Sequence, residues 1–498
     1  MIDNLSWVAI FPELILLVMA CAITLADLSV HSTKRTFTYV FTLLTLFVVA
    51  VSQGLYALNG FTIYGFGNMI VSDPMGNWLK CFAALAMMVT MIYGRPYSVA
   101  RDMLSRGGEL FTLSLFSLLG IFMMISGNHF LVIYLGLELL TLSSYALVAL
   151  RRDHKQSTEA GMKYFVLGAL ASGFMLYGMS MIYGATGTLQ INQIQQIVAT
   201  GMAKWQILML GLVFLVSGLA FKLGAAPFHA WLPDVYEGAP TSVTLIVASA
   251  PKLAAFAIMV RLLVEGLMPL AVQWQQMMAV LAIASLLIGN LAAIMQTNLK
   301  RMLAYSTISQ VGFVLLAFVS GYSNGNFNLV VDAYSAGMFY IVTYVLTTLV
   351  NFGVIMLLSY EGFECENIQD LSGLNQSRPL YAGVMAVSLL SLAGVPPMVG
   401  FYAKLTVLQV LVASGQTFQI GLAIFAVLMS LIGAFYYLRV IKVMYFDAPN
   451  PQLPKELHAG LDVRAVLSIN GALVLLFGLM PAGLMAICAF AIHRMLNA

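Results

Sequence analysis

The chain has 498 residues, 61% hydrophobic and 9% charged, and its 23 Lys+Arg against 20 Asp+Glu leave a net charge of +3. Soluble globular chains carry about 25% charged and 45–50% apolar residues, and nucleic-acid binders carry a basic excess. A soluble enzyme, a disordered scaffold and a nucleic-acid binder are therefore excluded, and an all-α polytopic membrane protein in a lipid bilayer is the expected class.

The N-terminal MIDNLSW is acidic and lacks the basic region of a signal peptide. Apolar runs on the ~20-residue criterion then give about fourteen transmembrane helices. They are expected at 8–27, 36–58, 76–94, 109–126, 130–150, 159–184, 203–230, 239–262, 274–296, 303–321, 332–359, 379–411, 417–445 and 465–490. The longest polar stretch, DAPNPQLPKELHAGLDVR (447–464), is too short to fold alone and reads as a Pro-rich surface connection or a short amphipathic helix.

Lys and Arg in short loops orient a membrane protein. One set of alternate loops holds Lys34, Arg35, Arg95, Arg101, Arg106, Arg151, Arg152, Lys155, Lys300, Arg301, Arg378, Arg439, Lys442, Lys455 and Arg464, whereas the other holds only Lys80, Lys204, Arg261 and Arg494. That asymmetry predicts cytoplasmic basic loops and both termini on the outer side, in agreement with an even number of spans.

Four basic residues remain inside apolar segments: Lys163, Lys222, Lys252 and Lys404. A charge at the bilayer centre costs roughly 2.5–3.5 kcal/mol on insertion scales and marks a polar interior. Glu138 lies eight residues into its span, and Lys252 is about eleven residues, or ~16 Å, from either end of its own. With Lys222 and Lys404 they predict a shared buried polar pathway. Lys163, four residues after Glu159 and near Arg152, belongs either to this pathway or to the cytoplasmic rim. Glu13 and Asp27 lie close to helix ends, where solvation is expected.

Two of these segments also carry helix breakers. Gly218, Gly224 and Pro227 surround Lys222, and Gly394, Pro396, Pro397 and Gly400 precede Lys404. Broken helices at matching places in two halves point to an inverted-repeat core. The expected organisation is an N-terminal three-helix segment (1–108), two inverted five-helix repeats (109–262 and 274–445) that each form a half-channel, and a cytoplasmic connection with the last helix (446–498).

Protons suit this charge set best. Burial disfavours the ammonium form of Lys and a neighbouring Glu favours it, so a Glu–Lys pair makes a protonation switch. Ser306, Ser309, Gln310, Tyr340, Thr343, Tyr344 and Thr347 either hold a water wire between such sites or make ordinary helix–helix hydrogen bonds. Lysines repel cations and carboxylates are few, so no metal site is expected. Cys21, Cys81, Cys365 and Cys488 form no C-x-x-C pair, and no nucleotide-binding glycine motif is present, so no cofactor is expected in this chain.

The run FKLGAAPFHAWLPDVYEGAPTSVTLIVASAPK (221–252) closely resembles the seventh and eighth helices of the antiporter-like membrane subunits of respiratory complex I. NLKRMLAYSTISQVGF (298–313) and GVPPMVGFYAKL (394–405) resemble that family's later signatures, and the likeness covers essentially the whole chain. Within the family, PDVYEGAP followed by TSVT, Lys404 in GFYAK where a sibling branch carries Glu, and an end at Ala498 without a long lateral helix point to one branch.

The resemblance implies a proton-translocating subunit of a NADH:quinone oxidoreductase in a bacterial inner membrane, with periplasmic termini. NADH, FMN, iron–sulfur clusters and quinone would be bound by partner subunits, so the complex but not this chain would carry out redox catalysis. Its partners would be an antiporter-like sibling and small membrane subunits. Carried over, Glu138 and Lys222 would be the charged pair of the first half-channel, Lys252 the central connecting lysine and Lys404 the terminal group of the exit half-channel. His229 and Lys163 are secondary candidates. Many relatives carry His where Gln310 stands, and Gln takes up no proton at physiological pH, so a relay there would use water, Ser309 or Tyr305. The rival readings are a subunit of a multi-subunit cation/proton antiporter or membrane-bound hydrogenase, a non-pumping scaffold, and a stand-alone carrier.

Overall fold

The computed structural model describes residues 4–105, 107–321, 326–451 and 460–497. In chain order, α1 (Asn4–Ala9), α2 (Phe11–Asp27) and α3 (Thr36–Asn59) precede a hairpin of β1 (Ile63–Gly65) and β2 (Ile70–Ser72). Then come α4 (Pro74–Ala100), α5 (Glu109–Ser126), α6 (Phe130–Val148), α7 (Lys155–Thr186), α8 (Ile191–Ala199), α9 (Trp205–Leu223) and α10 (Trp231–Gly238). One span is built from α11 (Thr241–Ala248), α12 (Ala250–Met259) and a π-helical segment, Val260–Gly266. It is followed by α13 (Ala271–Ile294), α14 (Leu299–Ser320), α15 (Phe327–Leu358), the short α16 (Leu374–Ser377), α17 (Pro379–Ala393), α18 (Val399–Ala413), α19 (Thr417–Phe446), α20 (Leu461–Leu479) and α21 (Ala482–Leu496).

The chain is a multi-pass helical membrane protein. Among the described residues, 12 helical segments are long and apolar enough to cross a membrane, and each matches an expected span. The other two expected spans are the 17-residue α2 and the pair α17–α18, which is interrupted as the glycines and prolines predict. Helices dominate because a backbone in hydrocarbon must satisfy its own hydrogen bonds.

Two interruptions were not foreseen. The span carrying Lys252 breaks at Ser249 (φ −110°, ψ −94°), where Pro251 opens the next helix as an N-terminal proline does. The last span breaks at Met480–Pro481, since proline cannot donate the next helical bond. Of the polar stretch 447–464, residues 452–459, including Lys455, lie outside the described residues, as does Arg106.

Helix pairs α5–α6 and α13–α14 approach in the same way. A Cβ on Gly120 would lie 2.7 Å from the Gly136 carbonyl and crowd the Leu140 amide, and one on Gly289 would lie 2.9 Å from the Tyr305 carbonyl and 2.6 Å from the Ser309 amide. The two sets have the same spacing along the chain (120 to 289, 136 to 305, 140 to 309).

The charges near helix ends are not solvated, contrary to expectation. Glu13 is buried and accepts from Lys80 at 2.7 Å and from Ser126 at 2.9 Å, and Asp27 pairs with Arg35 at 3.3 Å. Lys80 and Arg261, expected in outer loops, are each 1% exposed. Arg261 bonds Asp73 at 2.5 Å and Glu265 at 2.8 Å. Each charge tolerates burial because an opposite charge from another helix or turn meets it, and the Glu13–Lys80 and Asp73–Arg261 pairs bind α2, α4 and the π-helical segment together.

Removing one member of such a pair strands the other, at a cost of about 3–5 kcal/mol, whereas an apolar replacement of both is close to neutral. Lys80→Met should therefore lower the thermal midpoint of the detergent-extracted protein, and Lys80→Met with Glu13→Leu should recover most of the loss. Equal midpoints for the single and double variants would contradict the pairing.

Candidate functional site

The site follows from two helices that stop inside their spans. Helix α9 ends at Leu223, where Gly224 turns the chain at φ +80°, and α17 ends at Ala393, where Gly394 does so at φ +86°. Glycine takes this left-handed conformation without penalty, and both stops are C-terminal glycine caps. Pro227 and Pro397, each three residues beyond its glycine, follow cis peptide bonds.

A helix C-terminus exposes unpaired carbonyls and a partial negative charge. A lysine meets each one. Lys252, on α12 and 1% exposed, donates from Nζ to the Leu223 carbonyl at 2.7 Å and sits 5.5 Å from the Trp231 ring centroid. Lys404, on α18, donates to the Leu392 carbonyl at 2.9 Å, the Ala393 carbonyl at 3.0 Å and Ser430 Oγ at 2.8 Å. The closeness of the Gly394 break to this side chain is steric as well: a Cβ there would lie 2.9 Å from Lys404 Cδ.

Gln310, buried on α14, joins this second break to a tyrosine cluster. Its Nε2 donates to the same Leu392 carbonyl at 3.0 Å and to the Tyr437 hydroxyl at 3.0 Å. Its Oε1 accepts from Tyr340, and Tyr437 also shares a hydrogen bond with Ser306. Tyr344 donates to Thr307 at 2.8 Å one turn away. A continuous hydrogen-bonded chain, buried as far as Lys404, therefore runs Ser306–Tyr437–Gln310–Leu392–Lys404–Ser430.

Ser306, Gln310, Tyr340 and Lys404 come together. Tyr437 was missed; an aromatic pair close to Arg439 in an apolar run reads as an interfacial anchor. Thr343 and Thr347 bond back to carbonyls of their own helix. Ser309 lies against α13 at Gly289, and Tyr305 stands apart, its ring 6.5 Å from that of His229.

Glu138 and Lys222 are near one another but not joined. Glu138 lies within Coulombic range of Lys222, yet no ion pair within 4 Å connects them among the described residues, and Glu138 Oε1 is buried without a partner. Glu138 is half-buried and lies on α6 next to the exposed stripe of Leu131, Leu135 and Leu142.

Lys163 takes the rim position. It pairs with Glu159 and Asp234, both at 3.0 Å, and Asp234 also pairs with Arg301 at 2.9 Å. Burial pushes the Asp234 carboxyl up, but the hydrogen bonds from Lys163 and Arg301 hold it below its ordinary value. No group of three or more His, Cys, Asp or Glu side chains that could hold a metal ion is present among the described residues.

Comparison with known proteins decides the family. The family described as NADH:quinone oxidoreductase/Mrp antiporter, TM, matches residues 127–432. A relative named NADH-quinone oxidoreductase subunit N, from Polaromonas naphthalenivorans, is 66% identical over 497 residues, covering 100% of this chain and 99% of its own. The chain belongs to the subunit N family. A chain of respiratory complex I from Thermus thermophilus with bound aureothin superposes with a TM-score of 0.79 at 32% identity, covering 96% of this chain and 100% of that one. A chain of the Mrp complex from Dietzia sp. shares the fold, with a TM-score of 0.81 at 20% identity over 98% of this chain and 97% of its own.

Within this subunit N relative the hub is testable. Gln310→Leu removes partners from Tyr340, Tyr437 and the Leu392 carbonyl, and an unmet buried group costs about 1–3 kcal/mol. The variant should unfold at a lower temperature than the parent, measured by intrinsic fluorescence in detergent. An unchanged midpoint would contradict the hub.

Proposed function

We propose that this chain is a proton-translocating membrane-arm subunit of a NADH-quinone oxidoreductase. It moves protons through buried Glu, Lys and hydrogen-bonded side chains, driven by electron transfer in other subunits. The observation that carries this reading is the pair of mid-span lysines, Lys252 and Lys404, each holding the end of a broken helix. NADH, FMN, iron–sulfur clusters and quinone belong to the partner subunits in this account.

The bonding of Lys404 suits proton transfer. An ammonium has three N–H donors, and here they meet three acceptors: two carbonyls and Ser430 Oγ. After losing a proton, the amine keeps two donors for the carbonyls and gains a lone pair. The Ser430 hydroxyl, which can donate as well as accept, then turns its proton toward that lone pair. With a water as proton acceptor, the proton would thus be lost with a rotation of one hydroxyl away from the Ala393 carbonyl, which it now bonds at 3.3 Å, and no movement of the backbone. In this reading Glu138 and Lys222 are the charged pair of the first half-channel. Lys252, bonded to the first break at the Leu223 carbonyl, takes the central position between Lys222 and Lys404 in this reading.

The matched spacings at Gly120 and Gly289 and at the two breaks support two repeats, 109–262 and 274–445, each forming a half-channel, after a three-helix segment (1–108) and before the last connection and helix (446–498). The bias of basic residues to one set of loops supports cytoplasmic loops and periplasmic termini in a bacterial inner membrane. Moving a proton against 100 mV takes about 2.3 kcal/mol, which coupling must supply. An antiporter subunit of the Mrp type shares the fold; the far higher identity to subunit N chains favours the oxidoreductase.

Proton-transfer groups contribute on the order of 10²–10⁴-fold to a rate. Lys222→Ala and Lys252→Ala should therefore slow NADH-driven proton pumping through this subunit in reconstituted complex by about 100-fold, with electron transfer to quinone still detectable under uncoupling. Pumping at the parental rate in normally assembled complex would sink the role assigned to these lysines.

A further inference from the structure

We propose that the groove between α4, α15 and α20 binds one phospholipid whose headgroup carries both a phosphate and an ammonium. Two cavities lie end to end along these helices. One, of about 550 Å³, opens at the end that carries the basic loops and has Lys34, Arg95, Glu361 and Asp462 at its rim. The other, of about 320 Å³, lies deeper and is walled by apolar side chains of the same helices, such as Leu85, Leu346 and Leu473. Its two polar residues both make hydrogen bonds, Thr343 to Phe339 O at 2.9 Å and Asn470 Nδ2 to the Tyr93 hydroxyl at 3.4 Å, while Asn470 Oδ1 is left without a partner. Tyr93 lines the first cavity and Asn470 the second, so this bond marks their junction.

The dimensions fit one leaflet. From Asp462 to Phe477 on α20 is ~22 Å at 1.5 Å per residue, and from Arg95 to Phe82 on α4 is ~20 Å. Half of a bilayer 40–45 Å thick is ~20–22 Å. A headgroup at the upper rim therefore places its acyl chain in the apolar cavity, against Leu253 beside Lys252.

The charges select the headgroup. Arg95 lies over the Tyr39 ring at 4.3 Å and spends one donor on Thr36 at 2.7 Å, which leaves guanidinium N–H groups for a phosphate. Lys34, Glu361 and Asp462 make no ion pair among the described residues. Two cations and two carboxylates on one rim balance a headgroup with one charge of each sign and oppose one that is only anionic.

The test uses the intact complex containing this chain, reconstituted into vesicles with phosphatidylethanolamine that carries a photoactivatable group midway along one acyl chain. Adducts are mapped by mass spectrometry. They should concentrate on the stretches of α4, α15 and α20 that wall the deeper cavity. Leu346→Trp, which fills it from a partly exposed position, should cut them about fivefold while adducts on the exposed face of α7 stay constant. Lys34→Ala, at an exposed site, should also reduce them, because it removes one of the two cations that face the headgroup phosphate. A phosphatidylglycerol probe should label the groove more weakly. Equal labelling by both probes would overturn the headgroup assignment, and unchanged adducts in Leu346→Trp would overturn the site.

Discussion

A helix that stops inside a membrane leaves carbonyls with no water to pair with, and each such group costs several kcal/mol in hydrocarbon. In this protein α9 and α17 both stop there, at Leu223 and Ala393, and each stop is met by a lysine ammonium from a different helix. The lysine has the converse difficulty, since a lone charge is costly at that depth. Each defect relieves the other. The partial negative charge of the helix end favours the cation, and the cation supplies the missing donors. Neither the breaks nor the lysines would persist alone, and the tyrosine–glutamine chain is anchored on the same Leu392 carbonyl.

This arrangement separates the buried charges into two kinds. Arg261, Lys80 and Lys300 face carboxylates at 2.5, 2.7 and 3.2 Å, and charge-assisted bonds of that sort fix an ion in place. Those pairs fasten helix ends together. Lys252 and Lys404 face neutral carbonyls and a hydroxyl instead. Such acceptors favour the ammonium less strongly than a carboxylate does and still accept from a neutral amine, so the proton can leave while the contact stays. Buried ion pairs thus stabilise the frame, and the buried lysines without carboxylate partners remain free to change charge.

Much of this was legible in the sequence. Span positions follow from apolar length, and the two breaks follow from Gly224–Pro227 and Gly394–Pro397, because glycine and proline act on the local backbone whatever surrounds them. Lys252 and Lys404 stood out because a membrane leaves few reasons for a charge at that depth. Residues whose meaning depends on a distant partner were less legible. Glu13 looked solvated because its partner Lys80 lies on another helix, and Arg261 looked like a loop residue for the same reason. Tyr437 gave no signal until its hydroxyl was seen between Ser306 and Gln310. Glu138 and Lys222, expected as a charged pair, form no ion pair within 4 Å among the described residues, since spacing along the chain says nothing about the final ångströms between two helices. The break at Ser249 did leave a trace in Pro251, weaker than a glycine–proline pair.

These lysines either release protons or only hold helix ends. Arginine distinguishes the two, because it keeps a permanent charge and several donors but does not deprotonate. The decisive measurement is the number of protons moved per NADH oxidised by reconstituted complex bearing Lys252→Arg or Lys404→Arg. If the account is right, both variants assemble and oxidise NADH, and protons moved per NADH fall below the parental value. A parental ratio in either variant would contradict it and leave that lysine as a cap alone.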